Sequence, residues 1–318
     1  MKLSGFLPPI AVTLAALATC SPAKAEPLTL LDGPTQLRFI DSATPSTLQR
    51  TLTVTGMLAG ETIAAIDYRP LDGTLYAIGF NVDEARLYTI NTTTGAATLV
   101  GSGPFDATFG AGGNPGMDFN PVVDRIRVTS NLNRNLRLNP LTGAIAGTDT
   151  NTAFAVGDVN AGNSNAPLSV AYSNNVAGAV TTTLYGIVSG NGPIVVTIGS
   201  VNGTPVSPNT GTMFTVGSTG TGGYTSSRQG FDISGSTGIA YAVMDNNNTL
   251  YSINLATGAA TVVGAFPAGT AIRDLSVGPA AAAIATASAV PVLGLPVLLV
   301  VLGALLLVVT TVVARRRT

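Results

Sequence analysis

The sequence predicts an all-β protein, a β-propeller of about five four-stranded blades, followed by a single carboxy-terminal transmembrane helix. Three observations support the propeller. A strand pattern that contains an aspartate recurs along the chain, hairpin turns that end in glycine follow it, and the amino-terminal segment supplies the strands that the last repeat lacks. Four-stranded units repeated roughly every 40–60 residues are typical of propellers. A β-sandwich or a β-helix is the alternative fold.

The first strand of each repeat has an aspartate, or in one repeat an alanine, at the same position. The repeats place this position at Asp67, Asp118, Ala171, Asp232 and Asp274. A second strand with a tyrosine follows most of them, and a third strand leads into a turn that ends in glycine, which accepts the positive φ of hairpin turns. These turns are residues 91–95, 139–143 and 254–258. The pattern predicts five blades, or six if the long repeat after Ala171 contains another.

The two ends of the repeat region complement each other. The last repeat begins at Asp274 and stops before its second strand, whereas residues 28–31, 37–40 and 51–54 have the pattern of three further strands. A propeller in which both chain ends share one blade leaves no open sheet edge between them. The sequence therefore predicts that the amino-terminal strands pair with the carboxy-terminal strand and close the ring.

Residues 1–25 have the pattern of a secretory signal peptide. Lys2 supplies a positive charge, residues 6–18 are largely apolar, and the segment ends in Ala-Lys-Ala, with small residues at the positions that define cleavage. We expect cleavage at the end of this segment and export of the remainder. Lipidation at Cys20 is the alternative, because residues 17–20 are similar to a bacterial lipoprotein box.

The other end of the chain predicts a membrane anchor. A linker of small residues occupies 279–291, and residues 292–314 are uncharged and long enough to cross a bilayer. The basic end, residues 315–318, is expected on the cytoplasmic side. The propeller, residues 26–278, would then be an ectodomain that faces outward.

The tail resembles the carboxy-terminal sorting signals of Gram-negative bacteria, which combine a proline-containing motif, one apolar span and a basic end. The matching residues are Val290-Pro291-Val292-Leu293, the apolar span and the terminal arginines. The resemblance implies that a membrane protease cuts the tail, so that the mature chain ends near Val290. An uncut membrane anchor is the alternative.

The composition excludes several classes of catalytic site from the exported part. Histidine and tryptophan are absent, and both lysines and the one cysteine lie in the predicted signal peptide. Ser-His-Asp and Cys-His nucleophiles, Schiff-base lysines and His/Cys zinc sites are therefore excluded. Residues 26–289 have ten arginines against sixteen acidic residues, a net charge of −6, which argues against partners such as nucleic acid or anionic lipid headgroups.

The repeated aspartates form a candidate cation site. Because Asp67, Asp118, Asp232 and Asp274 occupy one position in the first strands, which line the channel of a propeller, we expect their carboxylates to converge there. Oxygen ligands favour Ca²⁺ over Zn²⁺. Alternatively, each aspartate accepts backbone N–H groups within its own blade. No other cofactor is expected, and no residue is assigned a catalytic role.

Arg125 and Arg127 form a candidate anion clamp. They lie two residues apart, so their side chains share one face of a strand and could bind a carboxylate or a phosphate together. The alternative is an ion-paired turn in which Asp124 caps the hairpin and the two arginines pair with acidic residues of a neighbouring blade.

Two segments carry a family resemblance. Residues 116–127, which contain Asp-Phe-Asn-Pro, and residues 87–101, with their echo at 250–264, resemble a bacterial exported family catalogued as a domain of unknown function. The resemblance covers residues 28–277. It implies a propeller-like extracellular domain and brings no known catalytic residues.

These observations favour an exported, membrane-anchored or surface-sorted propeller without catalytic activity. It would bind an envelope or extracellular protein or a glycan, or serve as a structural envelope protein, and its ectodomain is expected to be monomeric. The alternative is a five-bladed propeller glycosidase, an enzyme that needs only two or three carboxylates, here Asp67, Asp118 and Asp232.

Overall fold

The computed structural model describes residues 25–82, 84–106, 115–189, 192–222, 229–244 and 248–279. Their strands form five separate sheets, each built around an antiparallel run of four strands. The predicted all-β propeller with five blades is confirmed. Within the described ranges, no helix has the length and apolar character needed to cross a bilayer. The predicted signal peptide up to residue 24, most of the linker, the predicted membrane helix and the basic end lie outside the described residues.

Blade 1 joins the two ends of the repeat region. Its strands, from the centre outward, are β21 (Ile272–Val277), β1 (Pro27–Asp32), β2 (Gln36–Asp41) and β3 (Leu48–Thr53). β1 pairs with β21 in antiparallel register, with Leu30 opposite Leu275. The predicted closure of the ring is confirmed, although the third amino-terminal strand begins at Leu48, earlier than the sequence pattern indicates.

Blades 2, 3 and 5 are plain four-stranded meanders. Blade 2 contains β4 (Thr62–Tyr68), β5 (Leu75–Asn81), β6 (Glu84–Ile90) and β7 (Ala97–Leu99). Blade 3 contains β8 (Pro115–Asn120), β9 (Arg125–Ser130), β10 (Asn135–Leu138) and β11 (Ile145–Thr148). Blade 5 contains β17 (Gln229–Ile233), β18 (Ala240–Met244), β19 (Thr249–Ile253) and β20 (Ala260–Ala265).

Blade 4 accounts for the long repeat. It contains β13 (Pro167–Tyr172), β14 (Leu184–Val188), β15 (Ile194–Ile198) and β16 (Thr212–Ser218), and a fifth strand, β12 (Ala153–Phe154), pairs in parallel with β16. Two 3₁₀ turns, Val201–Gly203 and Pro208–Thr210, lie in the connection between β15 and β16. The additional residues thus extend one blade and do not form a sixth.

Turns that end in glycine pack blades 2, 3 and 5 against a neighbouring blade. In the turn after β6, the Asn91 side chain accepts bonds from the backbone amides of Thr93 and Thr94, and the Gly95 amide donates to the Asn91 carbonyl. Gly95 has a φ of 81°, and a Cβ there would lie 2.3 Å from the Thr53 carbonyl oxygen of blade 1. Glycine is needed at this position both for the positive φ and for the close approach.

Apolar side chains fill the spaces between the blades. One cluster joins blades 2 and 3, with Tyr76 packed edge-to-face on Phe119 at a centroid distance of 5.1 Å. Further clusters join blades 4 and 5, blades 5 and 1, and blades 1 and 2. Burial of these faces supplies the main favourable free energy of the ring, at about 25 cal/mol for each Å² of apolar surface.

Glu26 fastens the start of β1 to blade 5. Its side chain is buried and accepts hydrogen bonds from the hydroxyls of Ser234, Ser236 and Thr237, which lie between β17 and β18. Its backbone amide donates to Ser42 Oγ at 3.0 Å. The ring closure therefore includes a polar contact beyond the pairing of β1 with β21.

We expect Glu26→Ala to destabilise the full-length chain by about 1–3 kcal/mol, because the buried Ser234 hydroxyl and two neighbouring hydroxyls lose their acceptor. Thermal unfolding measures the change. Glu84→Ala is the control, since the Glu84 side chain is 44% exposed and pairs with Arg86; its effect should stay within about 0.5 kcal/mol. Equal melting temperatures for the two variants would contradict a role of Glu26 in closure.

Candidate functional site

The centre of the propeller is lined by the first strand of each blade: β4, β8, β13, β17 and β21. Each of these inner strands packs against the inner strands of the two neighbouring blades. The repeated sequence position is buried in all five, as Asp67, Asp118, Ala171, Asp232 and Asp274. Four carboxyl groups are thereby removed from water, which is unfavourable for the ionised form unless hydrogen bonds or opposite charge compensate.

Three of these carboxyl groups meet. One oxygen each of Asp67, Asp118 and Asp232 lies within 4.8 Å of the other two, and each residue is only 1% exposed. Asp274 stands apart from this trio, and both its oxygens have backbone partners, the amides of Ile66 at 2.8 Å and Leu275 at 2.9 Å. The structure therefore brings together three of the four aspartates that the sequence singles out.

Each aspartate bonds to the next blade around the ring. Asp67 accepts from the Phe119 amide at 2.8 Å and Asp118 from the Tyr172 amide at 3.0 Å. Asp232 likewise accepts from the Val277 amide at 2.6 Å. With Asp274, these bonds cross four of the five blade junctions. Asp67, Asp232 and Asp274 also accept from the amide of the residue that follows each of them, so the alternative of bonding within the own blade describes part of their contacts. The bonds to the next blade are additional, because the inner strands approach closely enough for a short side chain to reach the neighbour.

A glycine two residues before the aspartate permits this approach in blades 3 and 5. A Cβ at Gly116 would lie 2.8 Å from Ser169 Cα, and one at Gly230 would lie 2.4 Å from the Leu275 amide nitrogen. Real Cβ atoms do not tolerate such distances to backbone. The Gly-x-Asp pattern therefore has a structural meaning: the glycine admits the neighbouring strand and the aspartate bonds to it.

Burial and mutual repulsion favour the protonated form of these groups. Burial raises the pKa of Asp67 well above the usual range, and the charge of Asp232 raises it further. Burial also raises the pKa of Asp118, with contributions from Asp67 and Asp232. For Asp232, burial outweighs the lowering effect of its hydrogen bonds and raises the pKa to about 6. Burial likewise raises the pKa of Asp274.

Ser276 is a member of this site that the sequence analysis did not identify. Its hydroxyl lies 2.8 Å from Asp67 Oδ1 and 3.0 Å from Asp232 Oδ2. A usable signal was present, since serine follows the aspartate by two positions in both Asp274-Leu275-Ser276 and Asp232-Ile233-Ser234. In both blades this serine binds a carboxylate from another part of the chain, Glu26 in the case of Ser234.

The two arginines of the candidate anion clamp have different surroundings. Arg127 is buried, and its guanidinium donates to four acceptors within the protein, which are Tyr172 Oη, Asn135 Oδ1, Asp149 Oδ2 and Asn209 Oδ1. Arg125 donates to the backbone oxygen of Asp124. These acceptors already occupy much of the Arg127 guanidinium, and the anion clamp stays a prediction.

The raised pKa of Asp232 predicts a pH dependence. The pKa of Asp232 in the folded protein, about 6, exceeds the ordinary aspartate pKa of about 3.9. The folded protein therefore holds this proton more tightly than the unfolded chain does. The resulting stabilisation is complete below pH 4 and is lost as the pH rises through 6, an effect on the order of 3 kcal/mol. With a chelator present, we expect the melting temperature to fall between pH 4 and pH 7.5.

Asp232→Asn provides the comparison, because an amide does not titrate in this range. Its melting temperature should change less over the same pH interval than that of the wild type. Parallel profiles for the two proteins would contradict the assignment of the titration to Asp232.

Solved structures with a similar fold include a nidogen/laminin complex (11% identity, TM-score 0.47, covering 80% of this chain and 99% of that chain). TolB from Acinetobacter baumannii is 13% identical, with a TM-score of 0.42 and coverage of 76% and 53%. A putative 6-phosphogluconolactonase from Bacteroides uniformis is 14% identical, with a TM-score of 0.37 and coverage of 78% and 72%.

No protein with a curated description matches the sequence. A family model does match, over residues 36–276, and its description is "Domain of unknown function (DUF4394)". This range covers most of the chain and includes four of the five blades completely, together with three strands of blade 1. The chain therefore belongs to the DUF4394 family.

Proposed function

We propose that this chain is an exported, non-catalytic β-propeller that acts at the cell envelope as a binding or structural protein. The observation that best supports the absence of catalysis is the burial of the repeated aspartates. Asp67, Asp118 and Asp232 are each 1% exposed, and their oxygens accept bonds from backbone amides of neighbouring strands. Carboxylates held in this way act between blades, out of reach of a substrate in solution.

The glycosidase alternative has less support. Such an enzyme places two carboxyl groups on opposite sides of a glycosidic bond, so both must reach a sugar ring. The glutamates of the described residues also have protein partners. Glu26 binds three hydroxyls, Glu61 accepts from Arg86 and Tyr88, and Glu84 pairs with Arg86. None of these contacts points to an acid and base arranged around a cleft.

Export and anchoring rest on the sequence of the two ends. The signal-peptide pattern of residues 1–25 supports export, and residues 292–314 with the arginines behind them support a single membrane passage with the propeller outside. The partner would be a protein or a glycan of the envelope or its surroundings. Residues 26–289 have a net charge of −6, which makes nucleic acid a poor partner.

Intact-mass measurement on the protein from its native host tests the proposed location. We expect a mature chain that begins at Glu26 and is recovered from the envelope fraction. A carboxy terminus near Val290 would indicate a processed sorting signal, whereas a mass that includes residues 315–317 would indicate a membrane anchor. A cytosolic protein that still begins at Met1 would contradict export.

Glycan hydrolysis tests the absence of catalysis. We expect the purified full-length chain to release no reducing sugar from a panel of polysaccharides, because the central carboxyl groups are shielded. Asp118→Asn is the companion variant. Turnover by the wild type that disappears in Asp118→Asn would overturn the proposal in favour of the glycosidase.

A further inference from the structure

The trio of carboxyl groups at the propeller centre lacks positively charged partners among the contacts that the structure describes. Asp67, Asp118 and Asp232 accept bonds from five backbone amides and from the Ser276 hydroxyl, all of which are neutral. Three buried negative charges at this spacing repel one another strongly in a medium of low dielectric constant. Something must neutralise them, and the candidates are protons or a bound cation.

We propose that Asp67, Asp118 and Asp232 bind one divalent cation, Ca²⁺, which links blades 2, 3 and 5 at the centre of the ring. The site is a property of the fold and does not depend on where the chain resides. The three ligand oxygens come from three inner strands that are separated by more than 40 residues along the chain. A cation there would therefore crosslink parts of the propeller that only tertiary structure brings together.

The spacing of the oxygens suits a cation of this size. The three ligand oxygens lie within 4.8 Å of one another, so some point lies within about 2.8 Å of all three. Ca²⁺ binds oxygen ligands at about 2.3–2.6 Å, so a shift of a few tenths of an ångström would complete the contacts. Carboxylate and hydroxyl oxygens are hard ligands, which favour Ca²⁺ or Mg²⁺ over zinc or copper.

One buried oxygen of the trio has no hydrogen-bond partner and is therefore a candidate metal ligand. Asp118 Oδ1 accepts from the Tyr172 amide, but Asp118 Oδ2 is buried and has no hydrogen-bond partner. A proton on Oδ2 would need an acceptor, for which the carboxyl oxygens of Asp67 and Asp232 in the same trio are the candidates. A cation satisfies Oδ2 directly, because a carboxylate oxygen is a metal ligand without any need for a hydrogen.

The Ser276 contacts also call for an additional positive charge at the trio, which a proton or a cation would supply. Its oxygen lies within hydrogen-bond distance of both Asp67 and Asp232, yet it has only one hydrogen to donate. One of these two oxygen–oxygen contacts therefore has no hydroxyl proton between its atoms. A positive charge shared by Asp67 and Asp232 would offset the repulsion that remains.

A site of three ligands also agrees with the two inner strands that do not contribute. Asp274 lies outside the group of carboxyl oxygens that come within 4.8 Å of one another, and blade 4 has Ala171 at the repeated position. A ring of five ligands would be incomplete at Ala171, but a trio from blades 2, 3 and 5 is not. Asp274 is consequently the control, since it is also buried and occupies the repeated position but lies outside the trio.

The experiment uses the purified full-length chain and measures metal content and melting temperature at pH 7.5. After removal of free metal by gel filtration, we expect about one Ca²⁺ per chain by mass spectrometry of the elements. We also expect a melting temperature about 5–10 °C higher in CaCl₂ than in EGTA, the shift that a free Ca²⁺ concentration a hundredfold above Kd gives a domain of this size. MgCl₂ in place of CaCl₂ should give a smaller shift.

Two variants separate binding from structure. Asp118→Asn should lose the bound metal and most of the response to Ca²⁺. Asp274→Asn should melt at a lower temperature than the wild type but keep one Ca²⁺ per chain and the full response. Bound Ca²⁺ that persists in Asp118→Asn would overturn the proposal.

The wild type alone also decides the question if Asp118→Asn does not fold. A wild type without stoichiometric metal, whose melting temperature is the same in CaCl₂, MgCl₂ and EGTA, would overturn the proposal. The trio would then be neutralised by protons. That outcome leaves the proposed envelope function untouched, since it concerns only the centre of the ring.

Discussion

The pairing of β1 with β21 is the interaction on which the remaining architecture depends. It joins residues from opposite ends of the propeller, with Leu31 opposite Asp274, and completes a blade that neither end could form alone. Because every inner strand packs against two others, an open ring would lose contacts at the centre as well as at the gap. The Glu26 contacts with blade 5 and the apolar cluster between blades 5 and 1 reinforce the same junction.

Closure of the ring creates the electrostatic problem at its centre. Inner strands that approach closely enough to exclude water also bring aspartates from different blades together, and burial then disfavours their ionised forms. The chain offsets part of this by placing backbone amides of the next blade against the carboxyl oxygens, as Phe119 does for Asp67. The same groups thus hold neighbouring blades together and create a strongly negative centre. A bound cation would strengthen the link between the blades and offset the negative charge at the centre.

Buried carboxyl groups that link neighbouring blades stabilise the propeller. They are poorly placed to hydrolyse a polymer. Residues 26–289 are acidic and contain no lysine or histidine, which is consistent with the proposed display or structural role at the envelope. Its rigidity comes from blade packing, in which turns such as the one at Gly95 sit directly against the backbone of the adjacent sheet.

The sequence by itself predicted about five blades and their order, the closure of the ring and the inner-strand position of the aspartates, and it left open a sixth blade that the structure rules out. Those features depend on local patterns: a period-two alternation sets which face a residue lies on, and an Asn-to-Gly turn sets where a strand ends. Only the tertiary structure decided that Asp67, Asp118 and Asp232 meet while Asp274 does not, that their amide donors belong to the next blade, and that Ser276 and Glu26 take part. These contacts join residues far apart in the chain, and their geometry is set by how closely and at what register neighbouring inner strands pack, which no local pattern encodes.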